Sequence, residues 1–302
     1  MNQQGGLRDI GMVQLLVLFC SLFVGLIIAG GVATLFMGDT GETEIYGLFT
    51  VSAVQNIIAF CLPAWMTARY VTPMPEKWLH LTTPPTFRAL IGVLIVYIIA
   101  TPAMNWLIDW NQNIHLPESM KSIEDTLRTL EETNGGVAEK MLGGEGILNL
   151  ILSVSIVGIL TGFSEELFFR GSLQHVMFNC IRSKGAAIWI TAFIFSALHF
   201  QFFGFVPRLI MGVFFGYLLI WTESLWIPIA AHILNNSVVA VTYSSVAGTD
   251  AMKNIENFGV VECGMMPWLA IGSVIATTIF LWQFRKLIFA PAKPSKNKYK
   301  LR

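Results

Sequence analysis

Long stretches without a charged residue are the feature that most constrains this chain of 302 residues. Eight stretches contain no Asp, Glu, Lys or Arg: 10–38, 45–68, 89–108, 146–164, 185–207, 209–222, 224–249 and 263–284. A helix that crosses the hydrocarbon core of a bilayer needs roughly 20 mainly apolar residues. Seven stretches reach about this length, and the short one, 209–222, follows Arg208, whose side chain can extend to the membrane surface. The pattern predicts an all-α, polytopic integral membrane protein with about eight transmembrane helices, located in the cell membrane.

The composition excludes other classes of protein. Only 13% of the residues are charged, against about 25% in a typical soluble domain. Lys and Arg together number 19, as do Asp and Glu, so the chain lacks the basic excess of a nucleic-acid-binding protein. The four cysteines form no CxxC pair, which argues against a disulfide framework and a cysteine-based zinc site. We therefore expect the lipid bilayer as a partner and no nucleic acid.

The basic residues are distributed unevenly between the loops. With eight spans, 14 of the 19 Lys and Arg fall on the side that carries both termini, counting Arg170 with that side. The opposite loops hold four: Lys121, Arg128, Lys140 and Lys253. Cytoplasmic loops carry the excess of positive charge in membrane proteins. The distribution predicts that both termini are cytoplasmic.

The chain divides into three predicted segments. Residues 1–145 are expected to hold transmembrane helices 1–3 and a non-cytoplasmic amphipathic segment at 110–145. Residues 146–250 are expected to form a helical core of helices 4–7, and residues 251–302 the last transmembrane helix and a basic cytoplasmic tail.

The segment 110–145 has the pattern of an amphipathic helix. Met120, Ile123, Leu127 and Leu130 recur at helical spacing with charged residues between them. Such a helix can lie at the membrane surface, either as a connector between two spans or as a lid over a substrate site. The glycines in Asn-Gly-Gly at 134–136 predict its end.

Three polar motifs lie inside apolar stretches of the second half of the chain. They are SEELFFRG at 164–171, FSALH at 195–199 and HILNN at 232–236. An ionisable residue at the centre of a bilayer costs roughly 2.5–3.5 kcal/mol on insertion scales. Residues retained at such a cost are candidates for function.

The first motif places two carboxylates beside one guanidinium. Glu166 and Arg170 are four residues apart and can pair on one helical face. Glu165 lies about 100° around the helix from Glu166, so both carboxylates can point into the bundle. One arginine cannot neutralise two glutamates, so one carboxylate needs another donor or a proton, which suits a general base. The alternative is an ion pair that only joins two helices.

The other two motifs contribute imidazoles and an amide. His232 and Asn236 are four residues apart and share a helical face. Taken alone, each of them, like His199, is more typical of a hydrogen bond between helices. However, Glu165 lies 18 residues before Ser183 and His199 lies 16 after it. Two antiparallel helices joined at this turn would bring these two side chains to nearly the same depth.

Gly212 and Gly216 form a GxxxG pattern in the sixth apolar stretch. Glycines at this spacing allow two helix backbones to approach closely. The pattern predicts helix packing and no chemistry of its own.

In this order, the three motifs resemble those of the CPBP intramembrane protease family, which includes the CAAX-prenyl endopeptidases and the bacteriocin-processing and immunity proteins. The resemblance covers residues 146–245, about a third of the chain. The residues that carry it are Glu165, Glu166, Arg170, Phe195, His199, His232 and Asn236.

The resemblance implies hydrolysis of a peptide bond in a membrane-embedded or lipid-anchored protein or peptide. It implies that Glu165 activates water with help from His199, and that His232 and Asn236 polarise the scissile carbonyl and stabilise the oxyanion. Glu166 and Arg170 are then supporting residues. Physical chemistry is consistent with these roles, since an oxyanion needs preorganised donors about 3 Å away.

The resemblance leaves the cofactor open. Members of the family have been called metalloproteases, and Glu165, His199 and His232 could bind zinc with one open position. The sequence lacks HExxH, and the three ligands would come from three helices. We favour a glutamate mechanism without a cofactor.

Two other functions remain open from the sequence. A non-catalytic bacteriocin-immunity or scaffold protein could use the same fold to bind a membrane peptide. A proton-coupled transporter could use the Glu and His residues as a relay, although no internal repeat typical of many carriers is visible. The oligomeric state and the physiological substrate do not follow from the sequence.

Overall fold

The computed structural model describes residues 10–36, 42–260 and 266–291. Helices and turns make up these residues, and no strand occurs among them. Residues 1–9 and the basic tail at 293–302, which contribute to the predicted orientation, lie outside the described residues.

The first half of the described chain contains α1 (Gly11–Phe36), α2 (Glu42–Gln55), α3 (Leu62–Val71), α4 (Pro75–Trp78), α5 (Phe87–Gln112) and α6 (Lys121–Leu142). The second half contains α7 (Gly146–Leu152), α8 (Thr161–Glu166), α9 (Gln174–Ile181), α10 (Lys184–Ala197), α11 (Phe205–Thr222), α12 (Trp226–Val246), α13 (Asp250–Glu256) and α14 (Met266–Ile288). Three π-helical segments join α2 to α3, α7 to α8 and α8 to α9: Asn56–Cys61, Ser153–Leu160 and Leu167–Leu173. Single 3₁₀ turns occur at Glu118–Met120 and Phe202–Gly204.

Six helical stretches of the described residues are long and apolar enough to cross a membrane. They are Gly11–Leu35, Glu44–Val71, Phe87–Gln112, Gly146–Ile181, Phe202–Thr222 and Trp268–Ile288. The prediction of an all-α membrane protein is thus confirmed. The apolar helix α10 is shorter than these six. The count of eight spans and the cytoplasmic position of both termini stay predictions.

The fourth membrane-spanning stretch, Gly146–Ile181, which we call the fourth helix, extends beyond the predicted apolar stretch at 146–164. It continues through α8 and α9 to Ile181. The charged residues that interrupt the apolar stretch remain inside the helix because Glu166 and Arg170 pair with each other there. The charged residues that end the uncharged stretch therefore mark the site and not the end of the helix.

The predicted fifth span at 185–207 is not one helix, because α10 ends and α11 begins within it. Phe200 has a left-handed backbone, with φ of 52°, which a right-handed helix cannot contain. The Ser196 hydroxyl donates to the Phe205 carbonyl at 2.7 Å and closes the connection. His199 consequently lies in a turn, although its spacing from the other motifs suggested a position on a helix. We call residues 198–204 the His199 loop.

The predicted amphipathic helix is present as α6, but its predicted end was wrong. Gly135 and Gly136 lie within α6, which continues to Leu142. Glycine inside a helix costs about 1 kcal/mol relative to alanine. Contacts on both sides of the glycines hold the helix: Glu131 accepts from the loop after α10, and Lys140 pairs with Glu44 at 2.7 Å.

Three faces of α6 differ in chemistry. The face toward the protein is polar and carries Glu124, Arg128 and Glu131. An exposed apolar stripe contains Met120, Ile123, Leu130 and Val137. Asp125, Glu132 and Glu139 are exposed elsewhere on the helix. A helix with this distribution suits the surface of a bilayer, with the apolar stripe toward lipid.

The GxxxG pattern of α11 packs against the fourth helix and α10, as predicted. A Cβ on Gly212 would lie 3.0 Å from the Cβ of Ala192, and one on Gly216 would lie 2.7 Å from Oε1 of Gln174. The close approach also exposes two backbone carbonyls. Gly212 accepts from Arg170 Nη2 at 3.1 Å, and Gly216 accepts from Gln174 Nε2 at 3.2 Å. The glycines therefore serve the site as well as the packing.

Candidate active site

Glu166 and Arg170 form a fully buried ion pair one helical turn apart, as their spacing predicted. Arg170 Nη1 donates to Glu166 Oε1 at 2.6 Å. Nδ1 of His232, on α12, lies 2.8 Å from the same oxygen. A carboxylate beside a guanidinium accepts hydrogen bonds, so Nδ1 of His232 carries the proton that it donates. Glu166 thus neutralises Arg170 and orients His232.

Glu165 is buried beside this pair but has a different environment. Its Oε2 lies 3.7 Å from Nε2 of His232, which is beyond hydrogen-bond distance. No side chain or backbone group of the described residues donates a hydrogen bond to it, and 11% of its side chain is exposed. The two neighbouring carboxylates therefore differ in their partners: Glu166 is held by Arg170 and His232, whereas Glu165 is free to accept a proton.

Aromatic rings surround the guanidinium of Arg170. Its central carbon lies 4.6 Å from the ring centre of Phe195, 5.3 Å from that of Phe215 and 5.9 Å from that of Phe169. A cation near the face of an aromatic ring is attracted to it, most strongly where water is excluded. The rings therefore stabilise the buried charge that holds Glu166 in place.

His199 is oriented by the last turn of α10. Its Nδ1 lies 2.8 Å from the carbonyl oxygen of Phe195. Since a carbonyl only accepts, Nδ1 donates, and Nε2 of the neutral ring is left as an acceptor. The Phe195 ring contacts both imidazoles, with its centre 5.0 Å from His199 and 6.0 Å from His232. His232, not His199, forms the close pair with Glu165 in the described part of the chain.

Asn236 connects α12 to the helix that carries Glu165. Its Nδ2 donates to the Val157 carbonyl at 3.2 Å, and its Oδ1 accepts from Asn235 Nδ2 at 3.1 Å. A side-chain amide has two N–H groups, and only one is used by Val157. The second N–H is available to a ligand.

Asn56, in the second transmembrane stretch, supports the helix of the carboxylates. Its Nδ2 donates to Thr161 Oγ1 at 3.0 Å, and its Oδ1 accepts from the hydroxyl of Ser164. Ser164 immediately precedes Glu165. This link attaches the helix that carries Glu165 and Glu166 to the N-terminal half of the chain.

Helix α6 and α5 hold the His199 loop from outside. Glu131 Oε2 accepts from the Phe203 N–H at 2.7 Å, and the guanidinium carbon of Arg128 lies 3.9 Å above the centre of the Phe203 ring. Asn111 of α5 accepts from the Val206 N–H at 2.8 Å. The inner face of α6 is therefore part of the structure that positions His199.

A second carboxylate of α6 keeps Arg128 in place. Glu124 accepts from the Leu116 N–H at 2.7 Å, from Arg128 Nε at 2.9 Å, and its Oε1 lies 3.0 Å from His115 Nδ1. The Leu116 N–H first, and then Arg128, lower the pKa of Glu124 from its usual 4.5 to about 2. The stability that this adds is present above pH 4.5 and is lost as the pH falls toward 2. Glu124 stays ionised near neutral pH.

The residues named for a zinc site do not fit one in this structure. Among the described residues, no group of three or more His, Cys, Asp or Glu side chains is arranged to hold a metal ion. His232 directs one ring nitrogen to Glu166, and Glu165, His199 and His232 do not converge on one point.

Comparison with known families identifies the segment that carries these motifs. Residues 147–238 match the family model described as Rce1-like, type II CAAX prenyl endopeptidase. The segment matches a CAAX protease domain. The resemblance inferred from the three motifs is confirmed, and all six predicted site residues lie inside this domain.

Two curated bacterial proteins are similar to parts of the chain. The membrane-embedded CAAX protease MroQ of Staphylococcus aureus is 35% identical over 96 residues, which cover 30% of this chain and 38% of MroQ. The uncharacterized protein YpbD of Bacillus subtilis is 29% identical over 112 residues, which cover 35% of this chain and 52% of YpbD. The chain thus spans about half or less of either relative. No solved structure matches it.

Together with its apolar helices, the CAAX protease domain makes this a multi-pass membrane protein. The domain supports intramembrane protease activity in general. The division of the chain into three segments stays a prediction.

Several residues around the site were not predicted from the sequence to belong to it. They are Asn56, Asn111, Glu131 and Arg208. Asn56 and Arg208 could have been found by the rule that polar residues in apolar helices are functional candidates. Asn111 lies at the very end of an apolar helix and Glu131 on a helix rich in charged residues, so neither carries this signal.

We predict that Glu131→Ala loosens the His199 loop. Loss of the charge-assisted bond to Phe203 should raise the hydrogen-exchange rate of that amide roughly tenfold. Exchange measured by mass spectrometry over residues 198–206 checks this. Glu132→Ala, at the exposed neighbouring position, is the control and should leave exchange unchanged. Equal exchange in the two variants would show that α6 does not hold the loop.

Proposed function

We propose that this protein is an intramembrane endopeptidase that hydrolyses a peptide bond in a membrane-embedded or lipid-anchored protein or peptide. The observation that carries the proposal is the difference between two adjacent buried carboxylates. Glu166 is engaged by Arg170 and His232, while Glu165 has no hydrogen-bond donor among the described residues. The CAAX protease domain around them supports the same activity.

Glu165 acts as the general base in this proposal. It takes one proton from a water molecule as the water oxygen attacks the scissile carbonyl carbon. The same proton passes to the departing amine nitrogen when the C–N bond breaks, which restores the carboxylate. Glu166 is unsuited to this role, because protonating it would break a buried ion pair with Arg170.

His232 and Asn236 supply the donors for the oxyanion. Because Nδ1 of His232 donates to Glu166, Nε2 can donate to a carbonyl only when the ring carries both protons. Glu166, which accepts from Nδ1, holds the ring in place for this donation. The unused N–H of Asn236, one turn further along α12, is the second donor.

His199 assists by accepting a hydrogen bond. Its Nδ1 is occupied by the Phe195 carbonyl, so Nε2 of the neutral ring is the group that faces a ligand. A hydrogen-bond acceptor at the site can orient the attacking water toward the carbonyl carbon. The Glu131 contact described above serves this step by fixing the loop.

The central experiment uses Glu165→Gln, which preserves size and removes the base. Membrane peptides from cells that carry the wild type or the variant are compared by quantitative mass spectrometry. We expect cleavage products to disappear with Glu165→Gln, while the amount of inserted protein is unchanged because Glu165 makes no hydrogen bond that holds the fold. Glu145→Gln, in an exposed loop, is the matched control.

The same comparison separates the proposal from the other functions. Products retained at the wild-type level in Glu165→Gln would contradict the protease mechanism. A biological phenotype that persists in this variant without any cleavage would instead indicate a non-catalytic immunity or scaffold role.

The proposed mechanism is independent of a metal, and chelation tests this part of it. We expect purified protein treated with 1,10-phenanthroline to cleave its substrate at the untreated rate, because protein donors alone activate the water and the carbonyl. The metal content of the same preparation is measured in parallel. Stoichiometric zinc whose removal abolishes cleavage and whose return restores it would refute this mechanism.

A further inference from the structure

Arg208, in the first turn of α11, lies within a helix that is long and apolar enough to span the membrane. Its Nη2 donates to Gln201 Oε1 at 2.5 Å. Its Nη1 is shielded from solvent and has no hydrogen-bond partner among the described residues. The guanidinium therefore keeps one unused donor group in a buried position.

Arg208 also lacks a paired counter-ion. No ion pair of Arg208 occurs in the described part of the chain. Its electrostatic partners at longer range are Glu165 and Glu131, and His199 in turn senses its charge. The charge of Arg208 therefore acts on the proposed base and on the His199 loop.

The contrast with Arg170 indicates a different role. Arg170 is compensated by Glu166, a backbone carbonyl and three aromatic rings. The hydrogen-bond partner of Arg208 is one neutral amide, that of Gln201. An uncompensated charge away from water is costly, so this arginine has a reason to bind an anion. A direct pair with Glu165 would compensate it, but would also remove the free carboxylate that the reaction needs.

The His199 loop places Arg208 beside the site. A Cβ on Gly204 would lie 3.3 Å from Arg208 Nη2 and 3.6 Å from Glu131 Oε1. Gly204 lets the guanidinium pass close to the loop backbone, on the side where Glu131 holds the loop through Phe203. The guanidinium that carries the unused Nη1 therefore lies against the His199 loop.

We propose that Arg208 binds a carboxylate of the substrate near the scissile bond. This inference rests on the proposed protease function, since it assigns the substrate group that the site recognises. A guanidinium matches a carboxylate in shape and charge, and the pair would compensate Arg208 only when substrate is bound. The carboxylate can be the C-terminus of the peptide or an Asp or Glu side chain, which share this chemistry.

Binding of a designed peptide tests the proposal without requiring cleavage. One N-palmitoylated fluorescent peptide is prepared in four forms, with a free or amidated C-terminus and with Glu or Gln at the penultimate position. Fluorescence anisotropy measures binding to the purified full chain in lipid nanodiscs, with empty nanodiscs as background. The reference is the peptide that has an amidated C-terminus and Gln. We expect a peptide that carries one carboxylate, either the free C-terminus or the Glu side chain, to bind about tenfold more tightly than this reference, a difference of about 1.4 kcal/mol. The form that gains identifies the source of the carboxylate.

Variants of Arg208 assign the preference to this side chain. Arg208→Gln should remove the tenfold preference, and Arg208→Lys should retain part of it because the charge remains. Arg69→Gln, which changes an exposed basic residue of α3, should keep the full preference.

Two results would overturn the inference. One is equal binding of all four peptides by the wild type, which needs no variant. The other is an undiminished carboxylate preference in Arg208→Gln. A clear preference in a protein that cleaves no peptide would support the Arg208 site and count against the proposed protease function alone.

Discussion

The buried ion pair between Glu166 and Arg170 is the interaction on which the rest of this structure depends. Charges removed from water are tolerated only with close pairing and further hydrogen bonds. Arg170 obtains them from the Gly212 carbonyl, which it reaches because glycine lets α11 approach, and Glu166 obtains them from His232. The pair therefore determines how the fourth helix, α11 and α12 meet, and these elements carry two of the three motifs.

The same pair creates the chemical asymmetry of the site. Glu166 uses the available cation, so Glu165, one residue away, is left as a carboxylate without a donor. His232 lies between them, with one ring nitrogen toward each. In the proposed mechanism, the base and the donor to the carbonyl therefore lie within one cluster, which the structural pair orients.

Much of this arrangement could be predicted from the sequence, because it depends on local spacing. The apolar stretches indicate a helical membrane protein, and the four-residue spacing of Glu166 and Arg170 indicates their pairing. The turn at His199 could not be predicted, since the apolar pattern continues past the end of α10. The contact of Glu131 with Phe203 joins residues 72 positions apart, and a contact over this separation leaves no periodic pattern in the sequence.

The most direct test of the account compares the two neighbouring carboxylates in purified protein. Glu165→Gln and Glu166→Gln are each assayed for peptide cleavage and for thermal unfolding in the same nanodiscs. The account predicts that Glu165→Gln abolishes cleavage at an unchanged unfolding midpoint, whereas Glu166→Gln unfolds at a markedly lower temperature, because breaking a buried pair costs about 3–5 kcal/mol. Cleavage by Glu165→Gln at the wild-type rate, or wild-type stability of Glu166→Gln, would contradict it.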